Sequence, residues 1–280
     1  MITQSVKMYE LEALEFAQAL PAFQSMRHCV PLFAVLERNS PGRVFVDDAH
    51  APAVVFIWSR WGYLYLAGIA HNDEFNRSLH ETLARELIPQ SVALGERWPV
   101  LYPSSAAWSD KMGLLLGDKA LRRLYRRGYT LNPSSFARHH NWRERVPPAF
   151  RMARVDAELI ANAGEEIAGS IKGTWNSVGD FLSKGLGYCL LHEGRVVSLC
   201  LACFAGLGRL EISISTAEGY RRQGLATLTA SAFIEACLER GLQPNWECWW
   251  TNGPSTALAE RLGFEQGIDH PVYLWEEPAP

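Results

Sequence analysis

The sequence predicts an α/β (α+β) fold, a mixed twisted sheet flanked by helices and repeated in two tandem halves. Three observations predict it. Runs of strand length with alternating apolar and polar residues occur in both halves, and glycine turns separate them. Between Leu210 and Arg240, a strand, a glycine-bearing turn and a long apolar helix follow one another.

The N-terminal stretch Met1–Leu20 reads as an amphipathic helix whose acidic residues exclude a signal peptide. Arg43–Asp48, Ala53–Trp58 and Tyr63–Ala67 then read as three successive strands joined by turns. After them, His71–Phe75 offers no glycine-bearing loop, and Asp73 and Glu74 there would repel phosphate. Arg122-Arg123 and Arg126-Arg127 flank Leu124-Tyr125 at helical spacing and read as a solvated or interface helix face. Asn132–Phe150 holds Asn-Pro, Pro-Pro and few periodic apolar residues, the features of a linker, with His139-His140 in a surface loop. The chain is thereby expected to divide into domains 1–145 and 146–280.

The second half repeats the meander with Tyr188–His192, Val196–Phe204 and Leu210–Thr216. Ala226–Arg240 reads as a helix and Pro244–Thr251 as a strand. Asn252-Gly253-Pro254-Ser255 forms a turn and cap before a helix over Thr256–Leu262. The first half is read as a degenerate copy of this arrangement that has lost cofactor binding; an unrelated α/β domain is the alternative.

Arg221-Arg222-Gln223-Gly224-Leu225-Ala226-Thr227 lies where a strand turns into a helix. The first N–H groups of a helix have no internal partner, and the macrodipole adds positive charge. Gly224 allows close backbone approach, Ala226 keeps the helix start slim, and two arginines supply fixed cations. Such a turn suits a pyrophosphate; an ordinary turn with solvated arginines is the alternative. Neither G-x-G-x-x-G nor G-x-x-x-x-G-K-[ST] occurs in the chain.

The order strand, R-x-x-G-x-A, helix, strand, N-x-x-S-x-x-L-A-x-x-L-G-F resembles the acetyl-CoA-binding core of the GCN5-related N-acetyltransferases (GNAT). Trp175 before Phe181, Gly185-x-Gly187, Glu211–Thr216, and Trp246-x-Cys248 before Asn252 resemble the branch that contains the zwittermicin A resistance acetyltransferase. The resemblance covers Trp175 to Phe264 most strongly. It implies that Arg221 to Thr227 cradle the pyrophosphate of coenzyme A. It also implies that Ile214, Ser215 and Thr216 pair with the pantetheine arm, that N–H groups near Ile212 to Ile214 polarise the thioester carbonyl, and that Asn252 and Ser255 lie beside the cofactor. The implied activity is transfer of acetyl from acetyl-CoA to a small-molecule amine, an antibiotic-like one by the branch resemblance.

Strand alternation places Glu211, Ser213 and Ser215 on one face, so Glu211 is the candidate general base and Glu247 the second choice. The family's usual proton-donating tyrosine is replaced by Ala259, which leaves Ser255, Tyr273 or water, or no acid at all. Two other functions stay open: a non-catalytic acyl-CoA-binding regulatory module, favoured by the missing tyrosine, and an aminoacyl-tRNA-dependent transferase, disfavoured by the retained loop.

Composition narrows the classes. Of the 280 residues 48% are hydrophobic, which allows sizeable cores, yet no apolar run approaches the ~18 residues of a membrane span. The net charge of −3 argues against a nucleic-acid footprint. Six cysteines without a secretion signal fit reduced thiols in a cytoplasm. Cys200-x-x-Cys203 lies in an apolar strand with its members on opposite faces and no completing ligands, so no metal site is expected. A homodimer is left open.

Overall fold

A computed structural model describes residues 8–162 and 165–278. Their folded parts form two compact units, Met1–Leu124 with Pro271–Pro280, and Tyr125–His270. The expected N-terminal helix lies partly outside the described residues; within them, Tyr9–Glu10 is a short strand and Ala13–Met26 a 3-10 helix. Among the described residues no helix is long and apolar enough to cross a membrane.

The first unit contains strands β1 (Tyr9–Glu10), β2 (Gly42–Val46), β3 (Val54–Ser59), β4 (Tyr63–Gly68) and β5 (Val100–Pro103). Its helices are α1 (Val30–Leu36), α2 (Asp73–Thr82), α3 (Ile88–Ala93) and α4 (Met112–Leu116). Strands β1 to β4 run antiparallel in sequence order, and β4 pairs with β5 in parallel. Next to β5 lies the C-terminal end of the last strand of the chain, with Tyr273 opposite Leu101. Phe56, Trp58, Leu66, Phe75, Trp108 and Trp275 fill the core.

The second unit contains most of β6 (Arg122–Leu131), then β7 (Arg151–Arg154), β8 (Gly187–His192), β9 (Arg195–Gly206), β10 (Arg209–Thr216), β11 (Gln243–Trp249) and the start of β12 (Phe264–Leu274). Its helices are α5 (Pro133–Phe136), α6 (Ala157–Asn162), α7 (Glu165–Lys172), α8 (Val178–Lys184), α9 (Leu225–Glu239) and α10 (Gly253–Arg261). The order is β7-β8-β9-β10-β11-β6-β12, antiparallel through β10, parallel between β10 and β11, and antiparallel between β11 and β6. The first unit has the same plan: four antiparallel strands, one parallel neighbour, then an antiparallel strand. The tandem arrangement is real, with the same strand order in both halves.

Three expectations change. The units divide at Leu124, not near 145, because the Trp246↔Tyr129 to Trp249↔Arg126 ladder binds β6 to the second half, while Tyr273 and Leu274 pair with β5 of the first. Each unit therefore completes its sheet with a strand taken from the other half of the sequence. The arginine pairs stand on a strand rather than a helix, and Arg126 and Arg127 point to opposite faces. Arg127 binds Asp269 through two hydrogen bonds of 2.7 and 2.8 Å. The presumed linker is anchored: Asn132 caps α5, Phe136 is fully buried, and Trp142 packs beside Leu225, Leu228 and Ala232. His139 lies in a 3-10 helix, where its ring nitrogen meets the Arg261 carbonyl at 2.8 Å.

Candidate active site

The site begins where β10 and β11 part. Their parallel pairing covers only Arg209↔Gln243, Leu210↔Pro244 and Glu211↔Asn245, although β10 continues to Thr216. On its other edge β10 stays paired with β9 over its full length, with an irregularity between Glu211 and Ile212. Ala217 N–H donates to Val197 O, so by twofold alternation Ser215 and Ser213 also turn their main chain toward β9. Ile212, Ile214 and Thr216 therefore point theirs into the gap. Thr216 O receives Arg221 Nε at 3.2 Å. Of the predicted pantetheine segment, Ile214 and Thr216 turn their main chain toward the gap, the Thr216 carbonyl being taken by Arg221, whereas Ser215 faces β9.

Beyond β10, the chain turns through Glu218–Tyr220 into α9. Gly224 takes a left-handed conformation (φ 81°) at the N-cap of α9 and makes no side-chain cap, and Arg222 is left-handed as well (φ 62°). A Cβ on Gly224 would meet nothing within 4 Å, so the turn is open above it. Arg221 N–H is used by Glu218 O, and Thr227 and Leu228 N–H by Gly224 O. Between them, among the described residues, the N–H groups of Arg222, Gln223, Gly224, Leu225 and Ala226 meet no acceptor. Five consecutive donors at the positive end of a 15-residue helix fit a pyrophosphate. Gln223 Nε2 stiffens the turn by donating to Gly219 O at 3.3 Å. Thr227, in the first turn of the helix, is buried.

At the parting point stands Glu211, only 6% exposed. Its Oε2 accepts from Asn245 Nδ2 at 2.5 Å and its Oε1 from Glu247 N–H at 3.1 Å. In a continuous parallel ladder that N–H would bond a main-chain carbonyl of β10; the carboxylate takes its place and wedges the strands apart. Burial, then the neighbouring Glu247 carboxylate, push Glu211 up to about 8, against the pull of Asn245, Arg126 and Glu247 N–H. Glu247 in turn binds Arg126 Nε at 2.8 Å. His270, half-buried near Glu247, is held below the usual histidine range chiefly by burial. Alternation correctly places Ser213 and Ser215 on an exposed face, but the sheet interior closes over Glu211 itself. Arg126, Asn245 and His270 are additions that sequence reasoning did not supply. Arg126 lies 121 positions from Glu247, and no local pattern joins them.

Asn252 Oδ1 caps α10 by accepting Ser255 N–H at 3.2 Å, and Ser255 Oγ accepts Trp246 Nε1 at 3.0 Å. Ala259 is fully buried in the core, so a tyrosine there would need space the fold does not have. Tyr273 belongs to the first unit, where its hydroxyl lies 2.8 Å from Ser109 Oγ. Cys200 is a core residue, while Cys203 Sγ donates to Glu211 O at 3.4 Å; burial holds both thiols well above their ordinary range.

The equivalent place in the first unit is built differently. There β4 and β5 stay paired from Tyr63↔Val100 to Leu66↔Pro103, and Ser104 N–H adds a further bond to Leu66 O. The start of α2 is capped by its own Asn72, which accepts Phe75 N–H at 3.1 Å, and Asp73 is bound by Lys111 at 2.8 Å.

A parallel pair that parts over an uncapped helix start places the chain in a recognised class: the sequence profile of the GNAT acetyltransferase family matches residues 21–273, and the protein belongs to that family. Among its relatives, the uncharacterized N-acetyltransferase YdfB of Bacillus subtilis (strain 168) is 33% identical over 242 residues, 86% of this chain and 88% of the relative. A GCN5-related N-acetyltransferase-like protein from Streptococcus suis 89/1591 superposes with a TM-score of 0.72 at 27% identity, covering 94% of this chain and 99% of that one. A tandem GNAT protein from the clavulanic acid biosynthesis pathway shares the fold (TM-score 0.58, 14% identity, 98% and 99% covered).

Proposed function

We propose that the protein transfers an acetyl group from acetyl-CoA to a primary amine of a small, antibiotic-like molecule, using the second unit alone for the cofactor. The observation that carries this reading is the early end of the β10–β11 ladder beside five unmet N–H donors. When bound, acetyl-CoA supplies the thioester that the amine attacks. Arg222 to Ala226 bind the pyrophosphate through their main chain, and Arg221 and Arg222 add fixed positive charge. Ile214 and Thr216 hold the pantetheine arm through their inward main-chain groups, and Ile214 N–H polarises the thioester oxygen. Asn252 and Ser255 border the arm from the start of α10.

Glu211 acts as general base. An ordinary amine is almost wholly protonated near neutral pH, and a carboxylate raised toward that range is well matched to take the proton. Ser255 retains its own proton after accepting Trp246 N–H, so its hydroxyl is a candidate to protonate the departing thiolate. A thiolate also leaves without strong assistance.

The test is acetyl-CoA-dependent thiol release across a panel of polar amines, with product mass measured. The reading expects acetylated product and a 10²–10⁴-fold loss of turnover in Glu211→Gln with coenzyme A affinity retained, about the usual yield of general base catalysis. Coenzyme A binding with no turnover on any amine would favour a regulatory module instead.

A further inference from the structure

We propose that Arg126 and Glu247 are opposed positioning residues for Glu211, a cation and a carboxylate held as an ion pair on the face of the sheet where Glu211 stands. The inference rests on the reading of Glu211 as the base and names two residues that act through it.

The geometry comes from register. Glu211↔Asn245 are side by side on the parallel pair, so Glu211, Asn245 and Glu247 share one face of the sheet. Across the next, antiparallel pair, Trp249 stands opposite Arg126 and Glu247 opposite Gly128. Arg126 is thus the diagonal neighbour of Glu247 on that same face. Glycine at 128 leaves room for the guanidinium to reach across: Nε meets Glu247 Oε1 at 2.8 Å, Nη2 meets Glu247 O at 3.3 Å, and the group lies 4.8 Å from the Trp249 ring centre. The side chains of Arg126 and Glu247 are 12% and 7% exposed, so solvent screens them little.

Around Glu211, Glu247 comes from β11, Arg126 from β6 and the Cys203 thiol from β9, the last neutral because burial raises it. His270 on β12 faces Glu247, and burial favours its neutral form. Arg126 thus binds one of the two carboxylates and favours the charged form of the other. Burial raises Glu211 most, and the two neighbours act on it in opposite directions, Glu247 raising it and Arg126 lowering it. The proton moves from the acceptor ammonium, whose N–H bond breaks, to a Glu211 oxygen, freeing the nitrogen lone pair. Removing Arg126 takes away the cation bound to Glu247, so the carboxylate of Glu247 acts on Glu211 with less opposition. Removing the Glu247 charge leaves Arg126 acting on Glu211 alone.

The experiment titrates the cofactor-free protein labelled with ¹³C at glutamate carboxyls, the Glu211 signal being the one lost in Glu211→Gln. Arg126→Gln should move the Glu211 midpoint up and Glu247→Gln should move it down, each by about one pH unit, the low end for a close charge in a buried site. The acid limb of turnover should move in the same two directions. Shifts of one sign in both variants, or no shift in either, would overturn the proposal, since loss of packing alone has no reason to give opposite signs. If Arg126→Gln does not fold, Arg126→Lys keeps the charge and should leave the midpoint near the wild-type value while Glu247→Gln still lowers it; any other pairing refutes the idea. Full turnover in Glu211→Gln would remove the base reading separately, whatever the midpoints do.

Discussion

Replacing Glu211 by glutamine should change the pH dependence of stability more than stability at any single pH. The folded carboxyl keeps its proton up to about 8, whereas its ordinary value is 4.5. A raised value means that the stability tied to this proton is fully present below 4.5 and is lost as pH rises through 8. The gap between 4.5 and 8, at about 1.36 kcal/mol per pH unit, sets a ceiling of about 5 kcal/mol. Glutamine is never ionised, so the variant lacks this loss. It keeps a carbonyl for Glu247 N–H, but its amide must share the buried site with the Asn245 amide, a mismatch costing about 1–3 kcal/mol at every pH. The variant should therefore be the weaker protein in acid and the stronger one in alkali, by roughly 2–4 kcal/mol above pH 8. Urea unfolding of both proteins on either side of this window measures the crossing. Parallel stability curves would refute the argument, because they would mean that Glu211 titrates alike in the folded and unfolded chain.

Two further outcomes follow from the same geometry. Gly224→Asp should abolish coenzyme A binding by calorimetry, since a carboxylate about 4 Å from a phosphate costs about 4 kcal/mol at an effective dielectric of 20, nearly a thousandfold; Gly224→Ala, with open space for its Cβ, should lose only about 1–2 kcal/mol to backbone strain. Trp142→Ala should destabilise the second unit by about 3–5 kcal/mol in chemical denaturation, because the ring is buried beside Leu225, Leu228 and Ala232 and its N–H binds Glu235; an unchanged midpoint would restore the linker reading of that segment.

Much of the fold was legible because it is locally encoded. The meanders of both halves show twofold alternation, and the strands fall within a residue or two of the expected positions. The turn at Gly224 was legible for a similar reason, since a left-handed residue before an uncapped helix favours glycine. What failed depends on partners distant in sequence. Arginines at 122, 123, 126 and 127 satisfy helical spacing and strand alternation equally, and only the ladder to β11 decides between them. Pro147 and Pro148 suggested a linker, but Phe136 and Trp142 bury their rings, and two large anchors outweigh a sparse pattern. The environment of Glu211 was invisible for the deepest reason: strand periodicity gives the face of a side chain, not whether neighbouring strands close over it.

Hydrogen exchange with and without acetyl-CoA tests the central claim most directly, that the cofactor lies between the parted strands and against the start of α9. Slowed exchange confined to Ile212–Thr216 and Arg222–Ala226, with α2 and β4 of the first unit unchanged, is the predicted result. Protection around His71–Phe75, or saturating acetyl-CoA without protection at Arg222–Ala226, would contradict it.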